Sequence, residues 1–122
     1  MKYLCMIFFD EKKLGALSKQ EHQALVNESL AYDDVLRKSG HLLANQALQS
    51  VRAATTIRPR GGKIAIVDGP FAETKEQIGG FVLIAARDLN EAIQLASGIP
   101  VIRLGGVEVR PIQELTNSSA GA

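Results

Sequence analysis

A chain of 122 residues, 46% of them apolar, can build one hydrophobic core and has too little material for two. Its 14 basic and 13 acidic residues leave a net charge of +1, which excludes the broad positive field that draws a protein to nucleic acid or to an anionic membrane. The lone cysteine, Cys5, excludes an internal disulfide, and the apolar start gives way to DEKK after Phe9, well short of the ~20 residues of a membrane helix and without the layout of a cleaved signal, so a cytoplasmic setting is expected.

Residues 2–9, KYLCMIFF, read as a strand whose apolar side chains do not alternate with polar ones, so both of its faces are expected to be buried. DEKKLGALSKQ reads as a loop. Ser18 followed by Glu21 has the form of a capping box, and a helix is expected over 18–39. Its inward stripe is Leu25, Ser29, Tyr32 and Leu36, with Val26 and Val35 alongside, and Gly40 is placed to end it. Residues 41–48, HLLANQAL, form a second, weaker strand. Next, TTIRPR and KIAIVD flank Gly61 and Gly62, a pair suited to a two-residue hairpin turn; the register then sets Ile57 opposite Ile66 and Thr55 opposite Asp68. Ile64, Ile66 and Asp68 share one face of that hairpin, and Arg58, Arg60 and Lys63 the other.

After the turn at Asp68-Gly69-Pro70, residues 78–86, IGGFVLIAA, supply another apolar strand, whose glycine pair suggests a bulge or the close approach of another backbone. Asp88 and Glu91 repeat the capping-box spacing. Leu89, Ala92, Ile93 and Ala96 step along one helical face, which Gly98 and Pro100 close, and 106–112 alternate as a final strand. The fold expected is α+β: one domain over 1–115, an antiparallel sheet with two helices on one face and an inserted β-hairpin, and a disordered tail over 116–122. Two helices hide only one side of such a sheet, yet two strands look apolar on both. A second copy packed face to face is the simplest cover, so a homodimer is expected; the alternative is that the hairpin folds back over the bare side.

The charged stretch DGPFAETKE holds the candidate chemistry. Asp68 at the edge of an apolar hairpin face would lose solvation and could act as a general base, while Lys75 could hold an anionic substrate or neutralise Asp68 or Glu73 as a structural ion pair, the reading that residue types alone favour. His41, at the junction of helix and strand, could point towards the same turn, whereas His22 reads as a surface residue. Cys5, His22 and His41 lack metal-ligand spacing, and the glycine pairs lack the context of a phosphate loop, so no metal or cofactor is expected. Arg52, Arg58, Arg60 and Lys63 make a basic edge without interleaved aromatics, more consistent with protection against edge-to-edge pairing than with nucleic-acid binding. Cys5 reads as a small buried hydrophobe.

The segment DGPFAETKEQIGGF, with MKYLCMIFFDE, ATTIRPRGGKIAIVDGPF, FVLIAARDLNEAIQLA and GGVEVRPI, resembles the YCII-related, DGPF-domain family over about residues 1–112. The resemblance implies a ferredoxin-like fold that dimerises through its sheets into a dimeric α/β barrel, with a cleft at the interface. It also implies a small cofactor-free enzyme of lyase or isomerase type working by acid–base chemistry, one branch being similar to a dehydrochlorinase. Carried over from the signature are Asp68 and Lys75 as catalytic candidates, assisted by His41, and Phe71, Glu73, Thr74 and Glu76 as substrate-binding candidates. The histidine of the broader family lies on the first helix, near the position occupied here by Ser29, where this sequence has none. The alternative is a small-molecule-binding or regulatory module, associated with an extracytoplasmic-function sigma factor.

Overall fold

The structure, a computed structural model, describes residues 1–117; the remaining part of the tail for which disorder is expected lies outside the described residues. The chain runs β1 (Lys2–Phe9), α1 (Glu11–Gly15), α2 (Lys19–Lys38), β2 (Leu42–Ala47), β3 (Thr55–Arg60), β4 (Lys63–Asp68), β5 (Gln77–Ala85), α3 (Leu89–Ser97) and β6 (Gly105–Pro111), with 3-10 turns at Val51–Ala53 and Pro100–Leu104. β2, β5, β1 and β6 form an antiparallel sheet in that order, and β3 and β4 form a separate two-stranded ribbon. The sheet ends in two edges, so a single chain closes no barrel.

Strand alternation sorts the sheet into two faces. Tyr3, Cys5 and Ile7 of β1 and Val82 and Ile84 of β5 are buried against Leu36 of α2, Ala92 and Ala96 of α3, and Ile99. Both long helices therefore lie on one face. Cys5 is buried in this core, and desolvation pushes its thiol up to about 11, the behaviour of an inert hydrophobe. The opposite face presents Leu4, Met6, Phe8, Phe81 and Leu83, half-buried only by their neighbours. The hairpin does not fold back over it: Ile57, Ile64 and Ile66 are 64%, 69% and 73% exposed, so the ribbon stands away from the sheet.

The local signals act much as their chemistry dictates. Ser18 accepts from the Glu21 N–H at 3.0 Å while the Glu21 carboxylate accepts from the Ser18 N–H at 2.8 Å, completing the capping box, and Gly40 follows the last turn with φ +80°. The hairpin register is the expected one, with Ile57 opposite Ile66 and Thr55 opposite Asp68. Gly79 is the extra residue of a bulge in β5, where the Phe9 ring would meet any added Cβ at 2.1 Å, and the Gln46 carbonyl passes close to Gly80.

Three expectations need correction. DEKKLG is a short helix, started by Asp10 accepting from the Lys12 N–H at 2.9 Å. On α2, Val26 and Val35 are exposed, and Asp33 turns inward beside Tyr32 instead. On α3, Leu89 and Ile93 are exposed, while Ala92 and Ala96, with Leu95 half-buried, make the contact; small side chains let this helix approach the sheet closely.

Candidate functional site

The turn between β4 and β5 is built by its neighbours. Gly69, at φ +115°, adopts a backbone that favours glycine, and its N–H donates to the Ala54 carbonyl at 2.8 Å. Thr56 Oγ1 donates to the Gly69 carbonyl at 2.7 Å. The Arg58 guanidinium lies over the Phe71 ring at 3.9 Å and donates to the Phe71 carbonyl at 3.1 Å. Gln77 Nε2 donates to the carbonyls of Ala72 and Thr74 at 2.7 and 3.1 Å, and Thr74 Oγ1 to that of Glu76 at 2.7 Å. Thr56, Arg58 and Gln77 thus hold residues 69–76 in one shape. The sequence reading gave Arg58 a different task. The signal was nevertheless present, since the hairpin register puts Thr56 and Arg58 on a common face.

Two clefts flank this turn. The first, about 970 Å³, is the more polar of the two, and Glu73, Thr74 and Lys75 line it with Asp10, Glu11 and Arg52. The second, about 850 Å³, is mostly apolar and is lined by Phe71, Thr74 and Glu76 with Phe8, Leu48 and Ile78. Two acids of the polar cleft already have structural duties. Asp10 caps α1, and Glu11 accepts from the Ser50 hydroxyl at 2.7 Å and the Val51 N–H at 2.9 Å. The Val51 N–H, then the Ser50 hydroxyl, with the nearby Arg52 charge, hold the Glu11 carboxyl below the usual range. Lys75 forms no ion pair with Asp68, Glu73 or any other acid among the described residues, contrary to the structural pairing that its composition suggested. Lys75 is exposed and lines the same cleft as a second cation, Arg52.

Other expectations are separated by the fold. Asp68 shares a ribbon face with Ile64 and Ile66 as expected, but that face is open to water, so its apolar neighbours do not desolvate it, and Asp68 lines neither cleft. His41 sits at the far end of the sheet. Its Nδ1 is 2.8 Å from the Ala85 carbonyl, at the last residue of β5, whereas the acidic turn leads into the first, Gln77; eight residue steps of a strand part them by about 26 Å. Within one chain, His41 does not assist Asp68 or Lys75. His22 is exposed. Among the described residues, no group of three His, Cys, Asp or Glu side chains could hold a metal ion, and no helix is long and apolar enough to cross a membrane. Sequence reasoning missed Arg52, Phe8, Arg58 and Gln77 as parts of this region, because the first two reach it only through tertiary folding.

Comparison with known proteins agrees with the residue pattern. An uncharacterized protein of Rhizobium meliloti (strain 1021) is 35% identical over 114 residues, which span 92% of each chain. The sequence model of the YCII-related domain matches residues 1–116, and so covers β1 through β6 together with the acidic turn. The chain belongs to the YCII-related domain family.

Proposed function

We propose that this YCII-family protein binds a small, partly apolar anion at the end of the sheet marked by residues 68–76, and acts on it by cofactor-free acid–base chemistry of lyase or isomerase type. One observation carries the reading: Lys75 stands unpaired in a polar cleft, on a turn that Arg58, Thr56 and Gln77 keep rigid, with the apolar cleft of Phe8 and Phe71 on the turn's other side. A positioned cation with an adjacent apolar surface suits a carboxylate carried on a hydrocarbon body. Glu73, beside Lys75 in the polar cleft, and Glu76, in the apolar one, are the carboxylates placed to move a proton; Asp68 joins them only if a second subunit covers it.

The assembly belongs to the same proposal. The strand order, with both long helices on one face, supports a ferredoxin-like arrangement, and the bare face of Leu4, Met6, Phe8, Phe81 and Leu83 supports sheet-to-sheet packing of two copies into a dimeric barrel. Phe8 lies on that face and also lines the apolar cleft, so the partner copy would wall the site. A thermal-shift screen of a metabolite library tests the reading. Carboxylates should raise the melting temperature of the wild type and lose that effect in Lys75→Met, whose own melting temperature should stay near the wild-type value. Carboxylates that stabilise both proteins equally would overturn it.

A regulatory reading has one observation in its favour, the exposed Ile57, Ile64 and Ile66 with Arg58, Arg60 and Lys63 behind them, a surface that a protein partner such as an extracytoplasmic-function sigma factor could cover. Under that reading Ile66→Asp abolishes partner capture and Lys75→Met leaves it intact.

A further inference from the structure

A third hollow, on the helix-covered side of the sheet, has the features of a ligand site. It measures about 620 Å³, within the range of small-molecule pockets, and lies between α2 and the β2–β5 edge. Its origin is local. Where β5 enters the hollow it brings Gly79 and Gly80, which have no side chains, ahead of Phe81 and Val82, and neither glycine can acquire one, because an added Cβ would meet the Phe9 ring at 2.1 Å or the Gln46 carbonyl at 2.9 Å. Along α2, the side chains of Val26 and Leu30 edge the hollow and stay exposed, 37% and 63%, instead of filling it.

Most of the wall is apolar, with Phe9, Leu14, Leu25 and Val101 contributing. The polar groups that line it are Ser29, Asp33 and Asn45 at half-buried positions, the Tyr32 hydroxyl, and His22, Arg37 and Gln46 at exposed ones. Two of these are already committed: Tyr32 donates to the Leu95 carbonyl at 2.5 Å, and Arg37 pairs with Asp34 at 2.8 Å. Asp33 is different. It forms no ion pair among the described residues, and burial pushes its carboxyl above the usual range, against the opposing effects of a hydrogen bond with the Asn45 side chain and of the Arg37 charge. A partly desolvated carboxylate without a cation, at the wall of a mostly apolar hollow, is complementary to one kind of head group.

We propose that the hollow between α2 and the β2–β5 edge binds a small amine, with its apolar body against Phe9, Leu14 and Val101 and its ammonium on Asp33. An anionic ligand is disfavoured, since it would face Asp33 with the nearest cation, Arg37, already paired to Asp34. This preference is opposite to that of the polar cleft beside Lys75, so the two sites can be told apart by the sign of the ligand's charge.

The test is a titration of 15N-labelled full-length protein with phenethylamine, 2-phenylethanol and 3-phenylpropionate, three probes of similar body and different head. Phenethylamine should shift the amide signals of Ser29, Asp33, Asn45 and Gly80 saturably. The alcohol should bind about tenfold more weakly, the difference between a charge-assisted and a neutral hydrogen bond, and the carboxylate should leave these signals in place. Asp33→Ala should weaken the amine about tenfold. Leu30→Trp, at an exposed position on the edge of the hollow, should block the amine while leaving the rest of the spectrum folded, which keeps the test decisive even where Asp33→Ala disturbs folding. Equal binding of all three probes, undiminished amine binding by Leu30→Trp, or amine shifts confined to residues 71–76 would each overturn the proposal, and none would bear on carboxylate binding at Lys75.

Discussion

Val82 and Ile84 on β5 and Ile64 and Ile66 on β4 have the same chemistry at the same two-residue spacing, yet the first pair is buried and the second stands in water. The β-branched pattern made both segments strands. What it did not decide was whether anything would lie on top. β5 is an interior strand between β2 and β1, with α2 and α3 laid over its Val82–Ile84 face, whereas β4 has one partner strand and no helix. Period-two apolarity is therefore a statement about pairing, and burial is a separate property contributed by the next layer of structure.

The sharpest way to break this comparison is to truncate the same residue in both places. Ile84 is 1% exposed and Ile66 is 73% exposed. Ile84→Ala should cost about 3 kcal/mol in urea unfolding, from lost transfer energy and the remaining cavity. Ile66→Ala should stay within ~0.5 kcal/mol in the isolated chain. A large effect at Ile66 that grows with protein concentration would mean that the ribbon face is covered in solution, by a second copy.

A second substitution probes the covered half through its backbone. Gly98 ends α3 where an added Cβ would come within 2.4 Å of the Tyr32 hydroxyl, the group that ties α2 to α3 through the Leu95 carbonyl. Its φ of −84° suits any residue, so the glycine is there for space and not for backbone freedom. Gly98→Ala should cost about 1–3 kcal/mol by displacing that hydroxyl and breaking its hydrogen bond to the Leu95 carbonyl, while Gly98→Ala combined with Tyr32→Phe should recover part of the loss. Additive losses in the double variant would show that the two residues do not act together.

On the ribbon side, the comparable contact is the Arg58 guanidinium over Phe71. Arg58→Met keeps the stem and removes the charge, so global stability should fall by about 0.5–1 kcal/mol. The local effect should be larger: amide exchange over residues 69–77 should speed up while β1 and β5 remain protected. Uniform loss of protection would mean that the turn and the sheet open as one unit.

These contrasts mark how far the sequence could be read. The hairpin register was legible because a two-residue glycine turn fixes which residues face each other, and the bulge at Gly79 because a glycine inside an apolar strand has few other uses. The capping box at Ser18 was legible because its donors and acceptors lie within one helical turn. The short helix at Glu11–Gly15 escaped, since five residues carry no hydrophobic period and only the Asp10 cap announces it. The misplacement of His41 came from missing a topological consequence. β2 runs parallel to β1, so the start of β2 returns to the end of the sheet where β1 begins, next to Ala85, and away from the acidic turn near the end of β1. The clefts were hidden for a further reason: Phe8 and Arg52 reach the turn across separations that no local pattern encodes.

The smallest predicted effect sets two carboxyls from the two halves against each other. Glu11, which ties α1 to the turn at Val51–Ala53, titrates below its usual range, whereas Asp33, half-buried on α2, titrates above it. For Glu11 the folded state favours the ionised form. Its contribution is present above the unfolded value of about 4.3 and is lost as pH falls through the depressed folded pKa. For Asp33 the folded state favours the protonated form, so its contribution is fully present below the unfolded value of about 3.9 and is lost as pH rises through the raised folded pKa. Glu11→Gln should therefore be less stable than the wild type near neutral pH and converge on it in acid. Asp33→Asn should be the more stable protein near neutral pH and lose that advantage over the same acid range. Each difference should stay below ~1 kcal/mol, because both groups keep contact with water. Urea unfolding from pH 3 to 7 reads both signs in one series, and a loss of stability at neutral pH in both variants would show that Asp33 already has, within the fold, the cation that the proposed amine is meant to supply.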